Sequence, residues 1–365
     1  MKRCIFYLPY RLEEKANGAR MIRPRKMMQA FREIGYEVFE ITGFSAERRQ
    51  KIRGLKKSIA AGDKYDFMYT EAHTEPTLLT DPHHLPTHPF LDFGFFKYIR
   101  KQGIKIGLYY CDIYWKFDTY GVGLPAWKKA AAIRCYKYDI REYERWLNIF
   151  YIQELKLIDY TDSKKLKEIG RELPPGADAI EAAPRPERKA GDPLRIFYVG
   201  GLSNLYEMEE VVKAVTATPG CELTLCCRKE EWEKEKHKYE PYMCDRIRIV
   251  HLNGDQLEGE YAKADLCSLL FRKTEYREMI KPFKAFEYLA HEIPMLSTKG
   301  TAIGSFVEQN DIGWNVAYNE KSICRALQEI LEDPALIAQK RRNCAAVKQQ
   351  NLWTSRAEQV AKELS

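Results

Sequence analysis

Apolar and polar residues alternate along the first half of the chain in blocks that predict strands followed by helices. The runs CIFYLPY, YEVFEITGF, YDFMYTEA and IKIGLYYCD are typical of buried strands. Between them, ARMIRPRKMMQAFREIG, AERRQKIRGLKKSIAA and FGFFKYIRKQG carry apolar residues at helical spacing. Strand-helix alternation at this spacing indicates a parallel sheet covered by helices on both faces.

The pattern breaks at residues 174–193, PPGADAIEAAPRPERKAGDP, where proline, glycine and charge indicate a linker. It then restarts with LRIFYVGG as a strand, EMEEVVKAVTA as a helix, and CELTLCCR, IRIVHLN and YAKADLCSLLF as strands. We therefore expect an N-terminal domain over 1–185, a second domain over 186–345, and a helix over 346–365 that could pack back on the first. Both domains are predicted to be α/β, doubly wound and Rossmann-like, facing a central cleft. Ligands of such sheets bind outside the carboxyl ends of the strands.

Length and composition agree with two globular domains. A chain of 365 residues is longer than one hydrophobic core usually organises. Its residues are 45% hydrophobic and 12% aromatic, as expected for a folded globular protein. No apolar run approaches the roughly 20 residues of a membrane span, and the opening run lacks the features of a signal peptide. We therefore expect a cytoplasmic protein. Its ten cysteines show no CxxC spacing, which favours reduced, mostly buried thiols over a zinc or redox site.

Positive charge is concentrated in the first half. Residues 1–185 carry 33 basic and 24 acidic side chains, whereas the remainder carries 26 and 28. A lipid surface, a phosphorylated substrate or nucleic acid could be the anionic partner, but no nucleic-acid motif accompanies the charge. The basic segment AERRQKIRGLKKSIAA predicts a helix that could rest on an anionic membrane surface. It combines the apolar residues Ile52, Leu55 and Ile59 with six basic ones, Arg48, Arg49, Lys51, Arg53, Lys56 and Lys57. A solvated surface helix is the alternative.

Two segments of the second half could hold a phosphate. In FYVGGLSNLYEMEEVV, Gly200 and Gly201 end a strand and would let the backbone approach a ligand before a helix begins. A tight turn without a ligand is the alternative, since neither GxGxxG nor GxxxxGK[ST] is present. In IKPFKAFEYLAHEIPMLST, Pro282 suits the start of a helix, and Lys284 would add charge to its N-terminal amides. An exposed pair of Lys284 with Glu287 is the alternative.

These blocks carry a family resemblance. RIFYVGGLSNLYEMEEVVKAV, KADLCSLLF and IKPFKAFEYLAHEIPMLSTKGTAIGSFVEQNDIGWNV occur in the order found in the donor-binding domain of GT-B fold glycosyltransferases. The chain most resembles glycosyltransferase family 4 and its capsule and exopolysaccharide relatives. The likeness covers nearly all of 194–365 and, more loosely, the first half.

The resemblance implies roles for individual donor-site residues. Gly200 and Gly201 would approach the donor diphosphate, and Lys284 would hold it. Glu287 would match the second glutamate of the family's EX7E motif, bind the ribose and belong to the catalytic set. Met279 stands where the first glutamate is expected, with Glu278 one position away.

The resemblance also directs attention to two arginines. Many family members place an arginine and a lysine after the Gly-Gly turn, where this chain has Leu202 and Ser203. Arg228 and Arg272, both expected at carboxyl ends of strands, could bind the donor phosphates instead. Surface positions for both are the alternative.

In the first half, the segment YYCDIYW places Asp112 after a strand. Asp112 resembles the acid of the family's His-Asp pair near the reacting sugar, with Cys111 in place of the histidine. Capping of a helix that begins near Ile113 is the alternative role for Asp112. Gly18 and Arg20, in the loop after the first strand, are predicted acceptor contacts. His73 opens a histidine-rich tract whose spacing matches no metal motif, so we assign it to the acceptor and expect no metal.

The predicted function is transfer of a sugar from a nucleotide-diphosphate sugar, UDP- or GDP-linked, to an acceptor hydroxyl. The acceptor is expected to be a glycan or lipid-linked glycan of surface polysaccharide synthesis, at the inner face of the membrane. The resemblance implies retention of anomeric configuration and no cofactor. A non-catalytic protein that binds a sugar nucleotide or phosphosugar is the main alternative, and an epimerase or phosphorylase on the same fold is another.

Overall fold

The computed structural model describes residues 2–13, 19–118, 120–185, 188–189, 191–202 and 206–365, with the side chains of residues 19 and 20 excluded. The chain divides into two compact units. The first consists of Met1–Pro175 together with Trp353–Ser365, and the second is Gly176–Leu352. The C-terminal segment therefore belongs to the unit in which the chain begins.

The first unit contains a six-stranded parallel sheet in the order β2-β1-β3-β4-β5-β6. Its strands are β1 (Lys2–Tyr7), β2 (Tyr36–Ile41), β3 (Phe67–Glu71), β4 (Lys105–Tyr109), β5 (Ile149–Ile152) and β6 (Gly170–Glu172). Its first five helices are α1 (Ala19–Glu33), α2 (Ser45–Ala60), α3 (Leu91–Lys101), α4 (Ala126–Trp146) and α5 (Lys164–Glu168). The chain order reverses between β1 and β3, which makes the space outside their carboxyl ends the switch point of this sheet.

The second unit contains another six-stranded parallel sheet, in the order β9-β8-β7-β10-β11-β12. Its strands are β7 (Leu194–Val199), β8 (Cys221–Cys226), β9 (Ile247–Val250), β10 (Leu266–Leu269), β11 (Met295–Thr298) and β12 (Gly313–Val316). Its helices are α6 (Glu209–Ala217), α7 (Lys229–Glu235), α8 (Glu258–Lys263), α9 (Glu275–Glu278), α10 (Phe283–Ala290), α11 (Ala302–Gln309), α12 (Glu320–Glu332) and α13 (Ala335–Gln350). This is the Rossmann strand order, and its switch point lies between β7 and β10.

The sheet of the second unit separates two apolar cores. One contains Val212 of α6 and Leu327 of α12, and the other contains Phe286 of α10 and Val307 of α11. Residues of β7 contribute to both cores, because successive side chains of a strand point to opposite faces. The predicted α/β class with two doubly wound sheets is confirmed by this architecture.

The last helix, α14 (Trp353–Leu364), packs in the first unit against α1 and β4. Leu364 is fully buried, and a Cβ added at Gly107 would lie 2.7 Å from Leu364 Cδ1. Glycine at position 107 therefore lets the helix approach β4 closely.

Two sequence predictions fail in detail. The segment YAKADLCSLLF is not one strand, because α8 runs through Lys263 and β10 begins only at Leu266. The apolar side of α2 is not available to a membrane, because Ile52 and Leu55 are buried. Periodicity shows which residues share a helix face but not what that face packs against.

The cysteines and the absence of a long apolar run were two further features of the sequence. All ten cysteines are free thiols, six of them buried. Along the part of the chain that the structure describes, no helix combines the length and apolar character needed to cross a bilayer.

Candidate functional site

A small pocket lies at the switch point of the second sheet. It is lined from the end of β7, from the segment after β10 and from the start of α10. The lining residues are Tyr198, Tyr206, Leu269, Leu270, Phe271, Arg277, Pro282 and Lys284. Open α/β sheets bind their ligands in this position.

Lys284 reaches into the pocket from the first turn of α10, which begins at Phe283 after Pro282. Its Nζ donates a hydrogen bond to Tyr198 Oη at 3.2 Å and lies 4.3 Å from the centre of the Tyr198 ring. Burial and the nearby positive charge of Arg277 lower the pKa of Lys284 to about 7, against the opposing effect of Glu287. The ammonium therefore sits where an anionic ligand would stabilise its charged form.

Arg277 is a second cation of the pocket that the sequence analysis did not identify. Its guanidinium lies 3.8 Å from the centre of the Tyr206 ring and 4.9 Å from that of Phe271. The side chain is 8% exposed, and its Nε atom has no hydrogen-bond partner. An arginine packed against two aromatic rings, with its Nε unpaired, can donate from that atom to a phosphate.

Only one glycine of the Gly-Gly turn is required by contacts with its neighbours. A Cβ at Gly200 would overlap Lys284 Nζ, so any larger residue would displace the lysine. At Gly201 the nearest atom to such a Cβ is Glu231 Oε2 at 3.4 Å, an ordinary contact. The turn is further fixed by Tyr198 Oη, which donates to the carbonyl of Gly201 at 2.8 Å.

The acids expected around α10 occupy different surroundings. Glu287 lies one turn after Lys284, close enough for its charge to raise the pKa of that lysine. Met279, at the position of the expected first acid, is 8% exposed. Glu278 lies 3.3 Å from Lys273 Nζ in an ion pair with both side chains more than two-fifths exposed. The structure therefore brings only Glu287 near the pocket lysine.

Arg228 and Arg272 do not line this pocket. Arg228 Nη1 donates to Glu231 Oε1 at 3.0 Å with 80% of its side chain exposed. Arg272 Nε lies 3.1 Å from Glu207 Oε2 with 68% exposed. Both arginines follow strand ends as predicted, yet each is an exposed cation already paired with an acid.

In the first unit, His73 lies at the switch point of its sheet. Its ring packs against Tyr10, which follows β1, with ring centres 4.6 Å apart. Its Nδ1 accepts a hydrogen bond from the Glu75 amide at 3.2 Å. His73 and Tyr10 thus join the connections that follow β3 and β1, where a ligand of this sheet would bind.

Asp112 follows β4, one strand away. Its Oδ1 accepts a hydrogen bond at 2.8 Å from the amide of Tyr114, the first residue of the short helical turn Tyr114–Lys116. Asp112 therefore bonds to the start of a helical turn, as the alternative interpretation expected, although the cap position itself is Ile113. Burial raises the pKa of the neighbouring Cys111 thiol, and the charge of Asp112 adds to the effect.

Two predicted acceptor residues, Gly18 and Arg20, are not fully described by the structure. Gly18 lies outside the described residues, and Arg20 lies in the first turn of α1 with its side chain outside them. Among the described residues there is no cluster of three or more histidine, cysteine or acidic side chains suited to a metal. In the histidine-rich tract, Asp81 instead accepts hydrogen bonds from the amide and hydroxyl of Ser45.

No family model and no curated protein matches the chain. Solved structures match over its whole length. Sucrose-phosphate synthase from Thermosynechococcus elongatus is 15% identical with a TM-score of 0.64, covering 99% of this chain and 98% of that one. HepE of Anabaena in complex with UDP and glucose is 12% identical with a TM-score of 0.64, covering 99% of each chain. WaaG, a glycosyltransferase involved in lipopolysaccharide biosynthesis, is 11% identical with a TM-score of 0.56 and the same coverage.

These similarities show the fold. Full coverage of both chains, together with two doubly wound sheets of six parallel strands, defines the GT-B fold that the sequence resemblance predicted.

Proposed function

We propose that the protein is a glycosyltransferase that binds a nucleotide-diphosphate sugar in its second unit. The observation that carries this proposal is the pairing of Lys284 and Arg277 in one pocket at the switch point. Two cations that disfavour each other in a partly buried site would both be stabilised by a diphosphate. The fold supports the same conclusion, since HepE was crystallised with UDP and glucose.

In the proposed reaction, the bond between the donor sugar and its diphosphate breaks, and the sugar joins an acceptor hydroxyl. Negative charge develops on the departing diphosphate, and Lys284 and Arg277 would stabilise it without a metal. The N-terminal amides of α10 would add to this effect. Glu287 would accept hydrogen bonds from ribose hydroxyls, and retention of configuration follows from the family resemblance.

The acceptor is proposed to bind the first unit near His73 and Asp112. These residues follow β3 and β4, at the end of the sheet where ligands of parallel sheets bind. We propose a glycan or lipid-linked glycan of surface polysaccharide synthesis as the acceptor. WaaG, which shares the fold, acts in lipopolysaccharide biosynthesis.

The donor site can be tested by thermal shift with UDP-, GDP-, ADP-, TDP- and CMP-sugars. One nucleotide class should stabilise the protein, and Lys284→Ala and Arg277→Gln should each weaken its binding by about tenfold or more, as expected for loss of a charge-assisted contact. Arg272→Gln is the matched control, because it removes an exposed cation that lies outside the pocket. Equal affinities of all four proteins would show that the diphosphate binds elsewhere.

Transfer itself needs a separate measurement, because a non-catalytic binding protein would pass the affinity test. Incubation with the stabilising sugar nucleotide and glycan acceptors should yield free nucleoside diphosphate and glycosylated product. Asp112→Asn should slow this turnover while leaving donor affinity unchanged. Donor binding without product from any acceptor would favour the non-catalytic alternative.

A further inference from the structure

In the described part of the chain, the exposed large apolar side chains all belong to the first unit. There are six of them, each more than two-fifths exposed. We call them the apolar edge: Leu85 (61% exposed), Phe90 (81%), Val122 (82%), Leu124 (50%), Trp127 (70%) and Leu155 (45%). Such side chains indicate an interaction site where they lie together rather than scattered singly.

The topology of the sheet places these six residues on one side. Leu85 and Phe90 lie between β3 and α3. Val122 and Leu124 lie between β4 and α4, Trp127 lies in the first turn of α4, and Leu155 follows β5. Strands β3, β4 and β5 are neighbours and parallel, so their carboxyl ends share an edge. Helices α3 and α4 also contact each other, through Phe93 and Tyr138 rings 5.5 Å apart. The exposed side chains therefore surround a single edge rather than dispersing over the unit.

The segment between β4 and α4 contains Val122, the most exposed of these side chains. Gly121 and Gly123 both have positive φ, 69° and 86°, and bend the backbone on either side of Val122. A Cβ at Gly121 would lie 3.2 Å from the side chain of Lys129, so the turn rests closely on the start of α4. Trp127 follows in the first turn of that helix, and Lys128 Nζ lies 5.5 Å from the centre of its ring.

Basic residues outnumber acidic ones along this segment, which is bounded by Asp118 and Asp139. Residues 119–138 contain four basic residues, Lys128, Lys129, Arg134 and Lys137, and no acidic residue. Asp162, after β5, pairs with Lys116 and also lies within the electrostatic range of Lys137. Trp127, Ala131 and Arg134 are exposed at helical spacing, so they share one outward stripe of α4. An exposed tryptophan beside lysines and arginines is typical of helices that lie at a lipid interface, where the ring enters the headgroup region and the cations meet anionic lipid.

We infer that the apolar edge inserts into the surface of an anionic lipid bilayer. This inference replaces α2, whose apolar residues are buried, as the membrane-contacting element. Only the biological role of this membrane contact, and not the contact itself, rests on the proposed glycosyl transfer. Since His73 and Asp112 follow β3 and β4 at the same end of the sheet, a lipid-linked acceptor would present its glycan to them from the membrane.

The test is sedimentation of the full chain with vesicles in the absence of nucleotide. Wild type should bind vesicles of equal parts phosphatidylglycerol and phosphatidylcholine, and bind phosphatidylcholine vesicles far less. The double variant Val122→Ser/Trp127→Ser should weaken binding by at least about tenfold through lost apolar burial. The double variant Lys128→Gln/Arg134→Gln should weaken it by about fivefold for each charge removed.

The matched control is Arg53→Gln/Lys57→Gln, which removes the same charge from exposed positions of α2. It should bind vesicles nearly as wild type does. Equal losses from the two charge variants, or unchanged binding by the Val122/Trp127 variant, would overturn the inference. The inference would also be overturned if the wild-type protein did not bind vesicles but self-associated, and if the Val122/Trp127 variant abolished this self-association. The apolar edge would then be a protein interface. Thermal shift with sugar nucleotides reports independently on the proposed function and should be the same for every one of these variants.

Discussion

The surroundings of Lys284 disfavour its positive charge, which costs the unliganded protein stability but favours the binding of an anion. Burial and Arg277 lower its pKa to about 7, far below the usual value of a lysine. When folding lowers the pKa of a lysine, the folded state loses stability at every pH at which the unfolded chain carries that charge. Bound diphosphate would reverse this effect by raising the pKa of Lys284. Donor binding should therefore be coupled to proton uptake.

The coupling predicts how donor affinity depends on pH. A sugar nucleotide carries a diphosphate diester that does not titrate near neutrality, so Lys284 should dominate the response. Affinity should be constant below pH of about 7 and fall as pH rises, by up to about tenfold per pH unit. Calorimetry at about pH 8 in buffers of different ionisation enthalpy should detect uptake of a proton.

Lys284→Met provides the control for that measurement. This variant should bind the donor weakly and without proton uptake. Its unliganded form should also be more stable than wild type, most clearly below pH of about 7, because the cost of the buried charge is largest there. Donor affinity of wild type that is independent of pH would contradict the assignment of Lys284 to the diphosphate.

Among the elements, α2 shows that one arginine of a basic helix can be a structural residue while its neighbours are exposed. Arg48 is 1% exposed and forms a two-pronged pair with Asp92 of α3, with Nε–Oδ1 and Nη2–Oδ2 distances of 3.0 and 3.2 Å. Its Nη1 also donates to the carbonyl of Gly43 at 2.8 Å. Tyr7, at the end of β1, donates a hydrogen bond to the same aspartate. This arginine therefore connects α2, α3 and the sheet.

Arg48→Met should destabilise the protein by about 3–5 kcal/mol, because it leaves the buried carboxylate of Asp92 without its cation. Arg49→Met, at an exposed position of the same helix, should change stability by no more than about 0.5 kcal/mol. Chemical denaturation of both variants measures the difference. Similar values would mean that the pair with Asp92 contributes little.

The contrast between α2 and α10 explains what could be predicted from sequence. Strands and helices were recognisable because periodicity is local, and Lys284 stood out beside a helix start. Arg48 and Arg49 are adjacent and chemically identical, and only Asp92, distant in sequence, distinguishes them. Arg277 had no recognisable motif, since its role comes from Tyr206 and Phe271 placed around it by the fold. Family resemblance directed attention to Arg228 and Arg272, which each pair with an acid instead.

At the scale of the whole molecule, the chain completes its first unit only with its last helix. Trp353, Ala357, Val360 and Leu364 of α14 are all buried, at 5% exposure or less. Leu364 lies over Gly107 in the middle of β4. The core of the first sheet therefore depends on residues from both ends of the sequence.

Leu364→Ala should destabilise the first unit by about 2–5 kcal/mol, as expected for a large cavity in a packed core. Hydrogen exchange should show lost protection in β4 and unchanged protection in β7, which belongs to the other unit. Lys362→Ala, at an exposed position of α14, is the control and should leave both strands protected. Equal loss of protection in both strands would indicate that the two units unfold together.

The two segments at the ends of the second unit, near Ala177 and Leu352, run side by side. Ala177 and Leu352 form an isolated parallel bridge, and the Ala177 amide donates to the carbonyl of Asn351 at 2.7 Å. The second unit is thus inserted, in topological terms, between α14 and the rest of the first. During synthesis the ribosome releases every residue of the second unit before it releases Leu364. The first unit can be completed only after the second unit has emerged, so nascent chains should carry a folded second unit beside an exposed face of β4 that awaits its helix.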